Sequence, residues 1–404
     1  MIEVKNKENC CGCEACANIC PKHCITMVED EEGFRYPQVD KEKCINCRLC
    51  EKVCPIINEV KKSDILNQLQ FYASYNKNDE ILKNSSSGGM FTLFAECILK
   101  KNGVVYGVIQ ENTYDVKFVR AENEKDLEKM RGSKYLQAHV NNIYNRVLQD
   151  LKEERYVLFS GTPCQIAALY NVLGKNNYEK LYTIDVVCHG VPSNAVYQKY
   201  ITYLEYKFNK KVTFIKWRDK INGWGPNRIT LYFNDDSKYT TVSRENPFQT
   251  GFLDNIYLRP SCYKCIYAKL PRIGDISLAD FWGYDGKLLG DNQNKGLSAV
   301  IISSKKGNEF WEAIKKDLVV EKVDEQYLKE RCRHAYIHPV LNKNREKFFE
   351  DFKNMKFNKL ARKYNMEKPL IIKILKKAKA KTKIKRITKG SLSKWIKILE
   401  QKIQ

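Results

Sequence analysis

The sequence predicts a mixed chain of α+β and α/β character: a small N-terminal domain organised by cysteines, a larger α/β domain, and a helical basic C-terminal tail. Three observations carry that prediction. Eight cysteines recur in two equal runs near the N-terminus, a strand–helix–strand pattern of apolar residues lies at mid-chain, and the charge turns strongly positive after about Glu350. With 404 residues, 43% of them hydrophobic, the chain has enough apolar material for two or three domains with their own cores.

Cys10, Cys13, Cys16 and Cys20 precede Pro21, and Cys44, Cys47, Cys50 and Cys54 precede Pro55, each 34 positions after its counterpart. Two-residue gaps let three thiolates of a tight loop face one cluster, and the proline keeps the fourth cysteine out of the following helix. The run C-x2-C-x2-C-x3-C-P is the ligand pattern of bacterial two-cluster ferredoxins, in which the fourth cysteine of each run serves the other cluster. One 4Fe-4S cluster is therefore expected on Cys10, Cys13, Cys16 and Cys54, and a second on Cys44, Cys47, Cys50 and Cys20. Zinc knuckles and a disulfide scaffold fit less well, because neither uses the trailing Cys-Pro. Residues 1–60 thus resemble the two-cluster bacterial ferredoxin family. Cys11 and Cys24 are additional to the set and read as small hydrophobes near the clusters, with Cys24 also placed to compete as a ligand.

Sixteen cysteines in a chain without a long apolar run or a signal-peptide-like N-terminus point to metal ligation in the cytoplasm over disulfides. The net charge of +22 invites a nucleic-acid reading, but its distribution opposes one. From Lys353 onward, 18 Lys and Arg stand against Glu367 and Glu400, so +16 falls in the last 52 residues and the body carries only +6. That describes a basic tail on a near-neutral body.

Ile56 to Gln70 is polar and Lys-rich and reads as a linker. Phe71 to Tyr75 alternates like a short strand. The serines of Asn84–Met90 are expected to cap a helix carrying Phe91, Leu93, Phe94, Ile98 and Leu99, and its free amides beside Gly88 and Gly89 make either an anion site or an ordinary helix start. Val104 to Ile109 reads as a buried strand. Arg131 to Gln137 collects two cations, small residues and an aromatic, and reads as a solvated turn or a phosphate contact.

Tyr156 to Phe159 is a strand, Ser160 to Cys164 a turn, and Ile166, Leu169, Tyr170 and Leu173 recur at helical spacing. Thr162 caps that helix, Pro163 takes its first position and Gly174 ends it. Leu181 to Val187 returns as a parallel strand, so Cys164 and Cys188 fall just past neighbouring carboxyl ends, where α/β sheets bind ligands. Cys262 and Cys265 add a C-x-x-C pair. These four make a candidate third 4Fe-4S cluster, against three alternatives: a zinc site, a redox dithiol at Cys262 and Cys265, and a reactive thiol at Cys164.

Ser86-Ser87-Gly88-Gly89, Gly161 to Gln165, Val187 to Ser193, Cys262-x-x-Cys265 and Asp280-Phe281-Trp282-Gly283 occur in the order of one family. Residues 70–340 resemble the beta subunits of coenzyme F(420)-dependent hydrogenases and dehydrogenases, a group that includes ferredoxin-fused bacterial members. The resemblance implies an α/β flavin and iron-sulfur domain in two parts, 68–150 and 151–345, followed by the tail at 346–404. It implies FAD held by Ser86, Ser87, Gly88, Gly89, Lys134 and Gln137, with Gly161 and Thr162 near its ring, and the third cluster on Cys164, Cys188, Cys262 and Cys265. His189 is the candidate for proton exchange at the flavin, although a His beside a ligand more often supports the metal through a hydrogen bond. Trp217, Trp224 and Trp282 are candidates for ring stacking or for the core. No G-x-G-x-x-G follows a strand and no P-loop occurs.

The expected function is an oxidoreductase passing electrons between ferredoxin-type clusters and FAD for hydride exchange with an organic donor or acceptor. A ferredoxin or other electron-transfer protein is the expected partner. The alternative is a non-catalytic relay subunit serving a separate enzyme, with a further link through the resemblance to surface polysaccharide synthesis. In the tail, Leu392, Trp395, Ile396, Leu399 and Ile403 recur at helical spacing, which suits an anionic membrane surface, an acidic partner, or a solvated Lys-rich helix. Nucleic acid is not expected, because aromatics are not interleaved with the charges.

Overall fold

The structure is a computed structural model and describes residues 1–367 apart from 63, 175, 177, 289 and 291–293. In the N-terminal module, β1 (Ile25–Glu29) and β2 (Arg35–Val39) form an antiparallel hairpin with Ile25 opposite Val39. The 34-residue repeat is also a backbone repeat. Glu14 (φ 64°) and Arg48 (φ 59°) each turn left-handed before the short helices Ala15–Ile19 and Leu49–Lys52, which carry Cys16 and Cys50.

The body is a mixed eight-stranded sheet in the order β13-β3-β12-β11-β7-β6-β4-β5. Its strands are β3 (Ile65–Asn76), β4 (Val104–Gln110), β5 (Val116–Ala121), β6 (Val157–Gly161), β7 (Leu181–Val186), β11 (Ile276–Asp280), β12 (Ser298–Ser304) and β13 (Leu318–Lys322). The central strands β4, β6, β7 and β11 are parallel, and Val157, Leu158 and Phe159 are wholly buried. A parallel strand covered on both faces must be apolar throughout, which is why this run shows no alternation. On one face lie the helices Met90–Leu99 and Lys305–Ile314, through Phe94, Ile98 and Trp311. On the other lie Ile143–Lys152 and Pro163–Leu173, where Cys11, Cys13, Ala15 and Val53 of the module join the same core.

Buried hydrogen bonds anchor the module to this face. Glu14 accepts from the amides of Val140 (2.8 Å) and Asn141 (3.1 Å), Tyr144 Oη donates to the Cys13 carbonyl (3.0 Å), and Tyr267 Oη donates to the Pro55 carbonyl (2.6 Å). Shielded from water, such bonds are costly to break. A second core, around Trp217, Phe248 and Tyr257, joins the helix Asn194–Phe208 to a small antiparallel sheet of β8 (Val212–Asp219), β9 (Arg228–Phe233) and β10 (Lys238–Val242).

Three expectations are corrected. The linker ends earlier than Gln70, because β3 already begins at Ile65; its first half carries the exposed Asn67 and Gln68, which hides the strand. No serine caps the helix at Met90: Gly89, at φ 74°, is the capping residue. The body does not end at 345. The helices Arg345–Asn354 and Phe357–Lys363 bury Phe348, Phe352, Phe357 and Leu360, and Met366 follows them into the core. Their lysines face outward and disguise the phenylalanine stripe as tail. The predicted tail helix, from Leu392 to Ile403, lies outside the described residues.

Candidate metal centres and adjoining cleft

The module's thiols divide between two places. Cys20, Cys44, Cys47 and Cys50 line one small cavity, joined by Cys24, whose Sγ stands 3.3 Å from that of Cys20. The amide of Ile2 reaches Cys50 Sγ at 3.3 Å. Away from that cavity, Cys16 is pushed up by burial and by Cys10 and Cys54, while Cys13 lies against Cys11 and within range of Cys16. The trailing cysteine of each run thus stands with the other run's leading three. Cys47 is exposed, whereas Cys13 and Cys16 are buried. Among the described residues no three His, Cys, Asp or Glu side chains close around a single metal ion. The donor chemistry fits a larger centre: buried thiols ionise only when a cationic metal centre takes the place of their protons.

The third group comes from three elements. Pro163 and the Gln165 side chain, which accepts from the Thr162 amide at 2.9 Å, start the helix that carries Cys164 in its first turn. Cys188 follows β7, and Cys262 and Cys265 sit in and just after the 3-10 turn Pro260–Lys264. They meet. Burial pushes Cys188 up to about 12, helped by the neighbouring Cys164 and Cys265. Burial likewise raises Cys262, next to Cys188, Cys265 and Cys164. Thr162 Oγ1 lies 3.3 Å from Cys164 Sγ, and the Val191 amide donates to Cys262 Sγ at 3.4 Å. Cys11, expected to be a spare hydrophobe, is buried in one cluster with Cys13 and Cys164, and its thiol is pushed well up with Cys13 and burial among the causes, so the first thiol set abuts the third.

Cys164 and Cys188 also line a cleft of about 970 Å³, at the upper end of the range for small-molecule sites. Ser86, Ser87, Gly89, Gly161, Thr162 and the whole strap Arg131–Gln137 line it as well. Ser86 Oγ accepts from the Ser133 amide (2.7 Å), Ser87 Oγ donates to the Leu297 carbonyl (2.5 Å), and the Gly88 amide donates to Ser298 Oγ (2.9 Å). A side chain at Gly88 has no room, since its Cβ would stand 2.4 Å from the Ser74 carbonyl.

Two expected contacts are already engaged with protein. Lys134 Nζ donates to the carbonyls of Met130 (2.7 Å) and Arg131 (3.0 Å), closing the helix Glu124–Met130, and Gln137 Nε2 donates to those of Cys11 (3.0 Å) and Gly12 (2.9 Å). His189 is tied to His334 (Nδ1 to Nε2, 3.0 Å) and to the Phe252 carbonyl (3.2 Å); burial and His334 lower it to about 4, so it is neutral at pH 7. Trp217 belongs to the core, whereas Trp282, 38% exposed, lines the cleft and stacks on Trp224 at 3.8 Å. Arg131, Arg218, Arg244, Arg331 and Arg333 line the cleft; Arg218 pairs with Asp280 (2.5 Å), Arg244 with Asp254 (2.9 Å) and Arg331 with Asp285 (3.3 Å). Guanidinium groups on its wall suit an anionic occupant. Sequence reasoning picked out Arg131 but missed Arg218 near the end of β8, Arg244, and the Arg331–His334 segment, which form no motif.

Clustered thiols beside a small-molecule cleft define an iron-sulfur protein of the oxidoreductase type. Residues 9–56 match the 4Fe-4S dicluster domain. Residues 71–145 match the model "Coenzyme F420 hydrogenase/dehydrogenase, beta subunit N-term", and residues 154–326 match its C-terminus model, together more than half of the chain. The chain belongs to that beta-subunit family, with a dicluster domain at its N-terminus. Among solved structures, a chain of the F420-reducing NiFe hydrogenase complex from Methanosarcina barkeri, in a xenon-derivatised form, aligns at a TM-score of 0.47 and 18% identity. That alignment covers 71% of this chain and 92% of the other. No curated protein matches the sequence. Among the described residues no helix is long and apolar enough to cross a membrane.

Proposed function

We propose that this chain is an iron-sulfur flavoprotein oxidoreductase, passing electrons between ferredoxin-type 4Fe-4S clusters and FAD for hydride exchange with an organic substrate. The supporting observation is a juxtaposition. Cys164 faces the cleft in company with the Ser86–Gly89 turn, and it also packs in one cluster with Cys11 of the dicluster module. In this reading Cys10, Cys13, Cys16 and Cys54 hold one cluster, Cys20, Cys44, Cys47 and Cys50 a second, and Cys164, Cys188, Cys262 and Cys265 a third. A flavin, when bound, supplies the conversion between one-electron and hydride chemistry that clusters lack.

The chain's own residues bind and orient. Ser86 of the Ser86–Gly89 turn and the strap from Arg131 present a hydroxyl and a guanidinium to the phosphates, Ser87 and Gly88 hold the turn in place through Leu297 and Ser298, Gly161 and Thr162 border the ring, and Trp282 offers a stacking face. Lys134 and Gln137 act at one remove, by fixing the strap. His189, neutral and held by His334, orients the loop after Cys188. A ferredoxin or similar one-electron carrier meets the module at its exposed Cys47 side.

Anaerobic purification followed by iron, sulfide and released-flavin assays tests the proposal. The expected content is about twelve irons and one FAD per chain. About eight irons without flavin would leave only a relay subunit serving a separate enzyme.

A further inference from the structure

We infer that Arg259 supplies the counter-charge of the cluster bound through Cys10 and raises its reduction potential, which makes this arginine the electrostatic joint between the module and the third cysteine set. The inference rests on the cluster assignment just proposed.

Arg259 belongs to two places at once. Its backbone is part of the loop that carries Cys262: its amide donates to the Val191 carbonyl (2.8 Å), and its carbonyl accepts from the Cys262 amide (2.9 Å). Its side chain enters the module. Nε donates to the Cys10 carbonyl (2.7 Å), Nη2 donates to the Arg35 carbonyl (2.7 Å) and lies 3.6 Å from Cys10 Sγ, and Nη1 donates to Gln137 Oε1 (3.2 Å). The guanidinium also lies 4.5 Å from the centre of the Tyr36 ring.

This guanidinium is fully buried. Among the described residues three other arginines are buried, and each faces a carboxylate: Arg218 pairs with Asp280 (2.5 Å), Arg272 with Asp185 (2.7 Å) and Arg345 with Glu32 (2.5 Å). Among the described residues Arg259 has no carboxylate partner; the nearby Glu14 pairs with Arg35 at 2.8 Å. An arginine stays protonated in a protein, and a buried cation without compensation is strongly destabilising. The groups around Arg259 are neutral carbonyls, an amide, an aromatic face and sulfur. Of these, only sulfur carries negative charge once a cluster is bound.

The module makes room for this contact at one residue. Gly12 has φ 66°, and a Cβ there would stand 2.7 Å from Arg259 Nη1 and 2.8 Å from Gln137 Nε2. When a low-potential one-electron donor reduces the cluster, one electron enters, no proton follows, and the cluster becomes more negative by one unit. A fixed cation beside Cys10 Sγ stabilises that reduced state more than the oxidised one, so the potential rises. Its effect is greatest at the Cys10 set and least at the outer set on Cys20, Cys44, Cys47 and Cys50.

The test is a redox titration of the anaerobically prepared full chain, followed by electron paramagnetic resonance, for wild type, Arg259→Gln, Arg259→Lys and Gly12→Ala. Arg259→Gln should keep its iron and shift the reduction equilibrium of one cluster at least tenfold toward the oxidised form, about 59 mV for a one-electron couple. Arg259→Lys should recover most of that shift, and the outer cluster should not move. Gly12→Ala, which displaces the guanidinium without deleting it, should lower the same potential and decides the matter if Arg259→Gln does not load iron. Unchanged potentials in a loaded Arg259→Gln or Gly12→Ala chain would overturn the inference, as would an equal shift of every cluster. A wild-type chain without reducible clusters would instead overturn the cluster assignment, before any variant is compared.

Discussion

The two regions where thiols gather are assembled by opposite means. The dicluster module holds its eight cysteines within 45 consecutive residues, on two loops that repeat in backbone conformation. The third group draws Cys164 from a helix start, Cys188 from a strand end and the Cys262/Cys265 pair from a turn nearly a hundred residues from Cys164. Local spacing builds the first; the sheet builds the second. A site of the first kind needs its own loops, whereas a site of the second kind depends on every element that holds the sheet and the surrounding loops in register.

The sharpest attack on that contrast is truncation. A chain ending at Glu350 loses Phe352, Phe357, Leu360 and Met366 from the core that the module's Phe34 also enters. At about 3–5 kcal/mol for each large aromatic deleted, it should lose its cooperative melt and its flavin. A chain ending at Glu367 should keep both, read by thermal denaturation and released-flavin assay. Next is Cys188→Ser, which should remove about four irons and leave about eight; loss of all twelve would show that the sites are not independent. Gly88→Ala should abolish flavin binding while iron content holds, because the added methyl meets the Ser74 carbonyl. Trp282→Leu should have the smallest effect, weakening flavin or substrate affinity by about tenfold at most, or about 1.4 kcal/mol of lost stacking, measured by fluorescence titration.

The same contrast explains what was legible in the sequence. The 34-residue cysteine repeat carried its own interpretation. So did the unit from Val157 to Val186, where the apolar runs, Pro163 and Gly174 marked strand, helix start and helix end where the structure has them. The convergence of Cys188 with Cys164 followed from parallel neighbours in the sheet. Arg259 was hidden because one arginine in a loop looks like any other until its burial and missing carboxylate are seen. The helices at Arg345–Lys363 were hidden because net charge was read before the spacing of Phe348, Phe352, Phe357 and Leu360. At Gly89 the neighbouring serines offered a more familiar cap than the left-handed glycine that does the capping.

One consequence follows from the unequal depth of the module's cysteines. Cys47 faces solvent, while Cys13 is packed into the body's core and Cys16 into the module's own. Dioxygen arriving from outside meets the outermost thiol ligands first, and damage there leaves the inner assembly covered. In air the protein should bleach in stages, losing absorbance from the exposed edge of the module before the part packed against the sheet is reached.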